Sequence, residues 1–178
     1  MVTSKKAQRF DQSLKDSVFA IIDEKLLGLQ SKNRESVLAT LESLDRDKVV
    51  IALGNMLKNS DAEKRVLAVD ALMNIDLRET LDLILPFLRD PDSEVRWTIC
   101  NWLCTDGDSR AIEPLINVLK SDQDVNVRTR AACALGASRD FKAKDALLWA
   151  RDHDYEEDMH GFSVQYVATI ALQHLMEK

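Results

Sequence analysis

Glycine and proline are scarce: the 178 residues hold 5 and 3 of them. Sandwiches and barrels need many tight turns, and tight turns need these residues. Their scarcity argues for an all-α fold. Cysteine is also rare, and three residues without a CxxC pair do not make a disulfide framework. Reduced thiols are expected. No long apolar run occurs near the N-terminus, where the longest stretch is Val18 to Ile22. That is too short for a signal-peptide core or a bilayer span, so the expected location is the cytoplasm and no membrane partner is expected. A basic stripe is missing beyond Lys5, Lys6 and Arg9, which argues against nucleic acid as a partner. Glycine-rich phosphate loops, G-x-S-x-G elbows and metalloprotease histidine pairs are absent too. The expectation is a protein that is not an enzyme and carries no cofactor.

What is present is charge and apolar mass. With 46% hydrophobic and 30% charged residues, the chain can bury a core and is not a disordered polyelectrolyte. The net charge is −6 and is unevenly spread. Residues 1–60 carry 10 Lys+Arg against 8 Asp+Glu, residues 61–149 carry 12 against 16, and residues 150–178 carry 2 against 6. A partner with a basic surface fits this balance.

The most informative feature is self-similarity. The segment from Arg65 to Leu72 aligns with Arg96 to Leu103, with Arg128 to Leu135, and with Gln165 to Leu172, where glutamine replaces arginine. The closing leucines are 31, 32 and 37 residues apart. A second apolar segment precedes each of the first three, ending at Leu57, Leu88 and Leu119. Polar links join the two: Asn59 to Asp61, Asp90 to Asp92, and Ser121 to Asp124. Each unit thus predicts two helices and a turn, with apolar positions at +3, +6, +7 and +10 from the arginine on one helical face. Asp61, Asp92 and Asp124 are the expected N-caps, and each also stands four residues before an arginine, where an i,i+4 ion pair could form. The arginines are expected to tie helix starts to nearby carboxylates rather than to form a binding strip.

This pattern resembles the HEAT repeat, in its short form similar to bacterial bilin-lyase-related proteins. The stretches that carry the likeness are Ala111 to Asp122, Val127 with Arg128, Ala134 to Gly136, and the link from Asp90 to Arg96. The resemblance implies an α-solenoid of about five antiparallel helix pairs filling residues 1–178 as one domain. Residues 1–10 would be a frayed arm, residues 11–47 a capping helix pair, and residues 48–178 four HEAT-like repeats. Solenoid ends need such caps because each repeat touches only its neighbours.

Departures from the repeat mark candidate sites. The last link, from Arg151 to Phe162, makes the last spacing five residues longer than the one before. It holds Asp152, Asp154, Glu156, Glu157 and Asp158, either as an acidic loop for a basic partner or as a solvated connector without a role. Chelation by these groups with His153 and His160 is the rival reading, but the loop lacks regular Ca²⁺ spacing and no metal is expected. Trp97, one residue past its arginine, should be partly exposed. Trp102 falls in the core register, and Trp149 is expected in the core or at an end. Cys100, Cys104 and Cys133 could form a thiol site but are expected to serve as small buried hydrophobes.

In HEAT solenoids the second helices line the concave face. The resemblance therefore implies a protein-binding surface of Asp70, Asn74, Trp97, Asn101, Thr105, Arg130 and Tyr166, framed by the acidic loop. The expected function is a scaffold, an adaptor or an immunity-type inhibitor that binds another protein. The alternative is a bilin-lyase-related protein that handles a tetrapyrrole or phycobiliprotein.

Overall fold

The computed structural model describes residues 46–176 apart from residue 106. The frayed arm, and all but the end of the capping pair, lie outside the described residues. Among the described residues the regular elements are helical, and the only β feature is an isolated bridge between Glu157 and Ser163. The all-α expectation therefore holds. No described helix is long and apolar enough to cross a membrane. The chain divides into two compact units, Met1–Thr80 and Leu81–Lys178.

In the first unit, α1 spans Arg46–Met56 and buries Val49, Ala52, Leu53 and Met56. Helix α2 spans Ala62–Ile84. It starts at Asp61, whose carboxylate accepts the Glu63 N–H at 3.0 Å. Its buried face holds Ala68, Ala71 and Leu72, at the +3, +6 and +7 positions the arginine register predicts, and Leu67 at +2 beside them. This helix is not straight. Thr80 Oγ1 donates to Leu72 O at 3.0 Å, whereas eight residues of straight helix advance about 12 Å. The axis must double back between these residues, so one run of helical backbone supplies two legs. Asn74 Nδ2, donating to Asp70 O at 2.7 Å, occupies a carbonyl of the last turn before the bend. Arg46 reaches Glu79 at 3.1 Å.

The second unit is a layered array. A 3₁₀ segment, Leu85–Arg89, leads to α3 (Ser93–Leu103), α4 (Ile112–Ser121), α5 (Val125–Ala137), α6 (Lys144–His153) and α7 (Val164–Met176). Helices α3, α5 and α7 pack side by side in one row. The 3₁₀ segment, α4 and α6 form the second row, each against its neighbours. Val95, Ile99, Leu103, Ile112, Leu115, Leu119, Leu135 and Leu147 fill the space between, all essentially solvent-free. Rows of this kind follow from amphipathic helices that present one apolar stripe every turn.

The links are built from short hydrogen bonds. Asp92 and Asp124 cap α3 and α5 by accepting from Glu94 N and Asn126 N. One step earlier, Asn59, Asp90 and Asp122 each accept the N–H of the capping aspartate two residues on. Side-chain oxygens thus satisfy the free N–H groups of each helix start. Burial works against ionisation of the Asp124 carboxyl. Hydrogen bonds from Ser93 and Asn126 side chains and from the backbone nevertheless hold it below the usual carboxylate range.

Candidate functional site

Each repeat arginine is a clamp on its own link. Nη1 of Arg65 donates to Asn59 O and Ser60 O, that of Arg96 to Asp90 O and Pro91 O, and that of Arg128 to Asp122 O and Gln123 O. Arg96 and Arg128 also reach one repeat ahead. Arg96 donates from Nε and Nη2 to both oxygens of Asp122, at 2.7 and 2.8 Å. Arg128 makes the same fork to Asp154, at 2.7 and 3.2 Å, and adds Glu156 at 2.9 Å. The Asp122 bond raises the Arg96 guanidinium above its ordinary range against the opposing effect of burial, and Asp154 does the same for Arg128.

The reading of the arginines as structural ties therefore holds, with a correction to the partner. The aspartates four residues before spend their carboxylates on helix caps. The fork goes 26 residues forward to the next link instead. The fork makes two charge-assisted hydrogen bonds at once, which fixes the geometry of one link against the next.

The acidic loop is also different from its expected form. Asp154 is not a solvent-facing carboxylate but is 8% exposed beneath Arg128. Asp152 is exposed and paired with its neighbour Arg151 at 2.7 Å. Asp158 Oδ1 accepts the N–H groups of His160 and Phe162, which closes the turn. Gly161 has φ 79°, a left-handed conformation that suits only glycine well. Asp152, Asp154 and Glu156 thus each meet a guanidinium, and Asp158 meets backbone N–H groups. Among the described residues no group of three His, Cys, Asp or Glu side chains is arranged to hold a metal. His153 Nδ1 contacts Trp149 O at 2.9 Å, and His160 is exposed.

Residues 154–163 are fastened at several points. Arg128 holds Asp154 and Glu156, Asn126 Oδ1 accepts the Met159 N–H at 2.8 Å, and Asp158 N–H donates to Phe162 O at 2.9 Å. The Val164 and Gln165 N–H groups return to Glu156 O and Asp154 O, which seats the start of α7. On this fixed frame the apolar side chains point outward. Tyr155 is 62% exposed, Met159 73%, Phe162 50% and Tyr166 54%. Phe162 stacks on Tyr166 with ring centres 5.9 Å apart. Tyr166 was an expected site residue. Tyr155, Met159 and Phe162 were not, although the signal was in the sequence: aromatic and Met residues set among carboxylates in the longest link.

The remaining candidates are divided between the units. Asp70 and Asn74 lie in the first, at the end of the first leg of α2. The second unit brings Trp97 and Arg130 together, with Arg130 Cζ 5.3 Å from the indole centre. Trp97 is half-buried, as its register predicts, and so is Asn101. Thr105 is exposed and donates to Trp102 O, so it finishes α3 rather than displaying a free hydroxyl. One tryptophan expectation fails. Trp102 is only half-buried, because Ala71 and Ala134 fill the equivalent slots and an indole is too large for such a slot. Trp149, expected in the core or at an end, is 38% exposed and stacks on His153 at 5.6 Å, which leaves the core reading out.

Stacked helix pairs joined by capped links and forked arginines define an α-helical repeat array. Residues 81–160 match the family model for HEAT repeats. That match reaches from the second leg of α2 into the fastened loop. It speaks for the repeat and does not single out bilin-lyase-related proteins. A comparison with curated proteins finds no match.

Proposed function

We propose that this chain is a non-enzymatic protein-binding module, of scaffold, adaptor or inhibitor type, whose principal docking surface is the fastened loop of residues 154–163 together with Tyr166. HEAT repeats are commonly interaction surfaces, which supports the class. The observation that carries the site is the combination of a pinned backbone with outward aromatic side chains. Exposed apolar groups held rigidly lose little entropy on binding, and aromatic residues are enriched among interface anchors. Glu157 is exposed beside them, and the chain is net negative. Aromatic faces and carboxylates both favour Arg and Lys, so the partner is a protein with a basic contact surface.

The test compares immobilised wild-type protein with Tyr155→Ser/Phe162→Ser and Glu157→Gln in pull-downs from the source cells, followed by titration of the protein retained. Loss of two anchors should weaken binding by about 2 kcal/mol or more, roughly thirtyfold in Kd. Glu157→Gln should chiefly slow association and flatten its salt dependence. Equal retention by wild type and the double variant would remove the loop from the binding surface.

A further inference from the structure

A cavity of about 890 Å³ lies within the second unit, between the 3₁₀ segment Leu85–Arg89 and α4. Small-ligand clefts are of this size, roughly 300–1,000 Å³. Its floor is apolar, with Leu85 and Leu88 from one wall and Pro114 and Val118 from the other. The two walls run parallel. Each runs into its link, and Arg96 joins those links by holding both Asp90 O and the Asp122 carboxylate. At the opposite end Arg110, shortly before α4, reaches Asp82, shortly before the 3₁₀ segment, at 3.0 Å.

The two ends of this groove differ in charge. Asp82 and Glu113 line the first end, and both are exposed. Arg110 is shared between Asp82 and Asp108, and Glu113 forms no ion pair among the described residues, so this end keeps a negative surplus. Arg89 lines the other end, exposed and without an ion pair among the described residues. Other charges there are engaged: Asp122 with Arg96, and Asp90 with the Asp92 N–H. Apolar along its floor, acidic at one end and basic at the other, the groove is complementary to a chain with the opposite order of charges. We propose that it binds an extended segment of a partner protein bearing a basic residue and an acidic residue four positions apart, with an apolar residue midway between them.

The spacing follows from the wall. From Asp82 to Arg89 the backbone advances roughly 13 Å, counting about 1.5 Å per residue in the α-helical part and about 2 Å in the 3₁₀ part. An extended chain advances about 3.3 Å per residue, so four residues cover that distance. Alternate residues of an extended chain share a face, so the first, third and fifth side chains all point into the groove. The basic side chain meets Asp82 and Glu113, the apolar one rests on Leu88 and Val118, and the acidic one meets Arg89. None of these residues belongs to the 154–163 loop, so the groove and the loop stand or fall separately.

The test titrates end-blocked pentapeptides, Lys-Ser-Leu-Ser-Glu and its reverse Glu-Ser-Leu-Ser-Lys, into the isotope-labelled full chain and follows backbone amide shifts by NMR. At least one peptide should give saturable shifts at millimolar concentration, concentrated in the 3₁₀ segment and α4. Replacing its leucine by serine should abolish them. Arg89→Glu, an exposed change, should weaken binding of that peptide by about fivefold or more. The same variant should bind Lys-Ser-Leu-Ser-Lys more tightly than wild type does, a gain that misfolding cannot produce. Sedimentation of the chain alone should give a monomer. No saturable shift with either peptide, shifts outside the two walls, or equal binding of Lys-Ser-Leu-Ser-Lys by variant and wild type would overturn the proposal. A dimer that Arg89→Glu dissociates would assign the groove to a second copy and overturn it too.

Discussion

Asp154→Ala should destabilise the second unit by about 3–5 kcal/mol, the cost of breaking a buried ion pair from one side. The Asp154 carboxylate is 8% exposed and accepts two donors of Arg128, whose guanidinium is itself nearly buried. Removing the carboxylate leaves that guanidinium in a poorly solvated site with Glu156 as its remaining carboxylate. The same change at Asp152, exposed and bonded to Arg151, should cost far less, because solvent screens an exposed pair. Urea unfolding followed by helical circular dichroism measures both. A double variant, Arg128→Met/Asp154→Leu, should lose less than the sum of its two single changes, because no charge is then stranded. Equal midpoints for the Asp154 and Asp152 variants would show that the inter-repeat fork contributes nothing.

Gly136→Ala should also destabilise, although helix propensity alone argues the other way. A Cβ at Gly136 would lie 2.7 Å from Ala171 Cβ and 2.8 Å from Ala171 Cα. The second contact is backbone, so relief requires α5 and α7 to move apart. Overpacking of this kind costs about 1–3 kcal/mol, against roughly 1 kcal/mol gained by replacing a helical glycine. Gly54 in α1 is the control: nothing lies within 4 Å of its Cβ position. Gly54→Ala should raise stability by up to about 1 kcal/mol. Opposite shifts in melting temperature are expected for the two substitutions, and a rise for both would mean that the α5–α7 contact is loose.

The features legible in the sequence were those set by local chemistry. Asp61, Asp92 and Asp124 cap their helices through bonds to the second residue on, so a short window contains cause and effect. The apolar stripes at fixed distances from each arginine are likewise local. The forked pairs were hidden because Arg96 and Asp122, or Arg128 and Asp154, meet only after one repeat stacks on the next. The sequence suggested instead the nearer aspartate at i−4. Asp154 was misjudged for the same reason: its position among four other carboxylates outweighed its match to Asp122 one repeat earlier. Cys104 directly follows α3, and its thiol donates to Arg130 O of α5, a contact between successive repeats that no local window of sequence contains. The bend in α2 left neither glycine nor proline to read between Asn74 and Thr80.

The proposed docking surface depends on Arg128 holding residues 154–163 in one conformation while their aromatic side chains face outward. Amide hydrogen exchange over that segment, in wild type and in Arg128→Met, measures this directly, with α3 and α4 as internal gauges of folding. In wild type the bonded N–H groups of Asp158, Gly161 and Val164 should exchange well below free-peptide rates. In Arg128→Met they should lose protection together and by a larger factor than α3 and α4 do. Free-peptide exchange of the loop in both proteins, or equal protection in both, would contradict a loop pinned by Arg128.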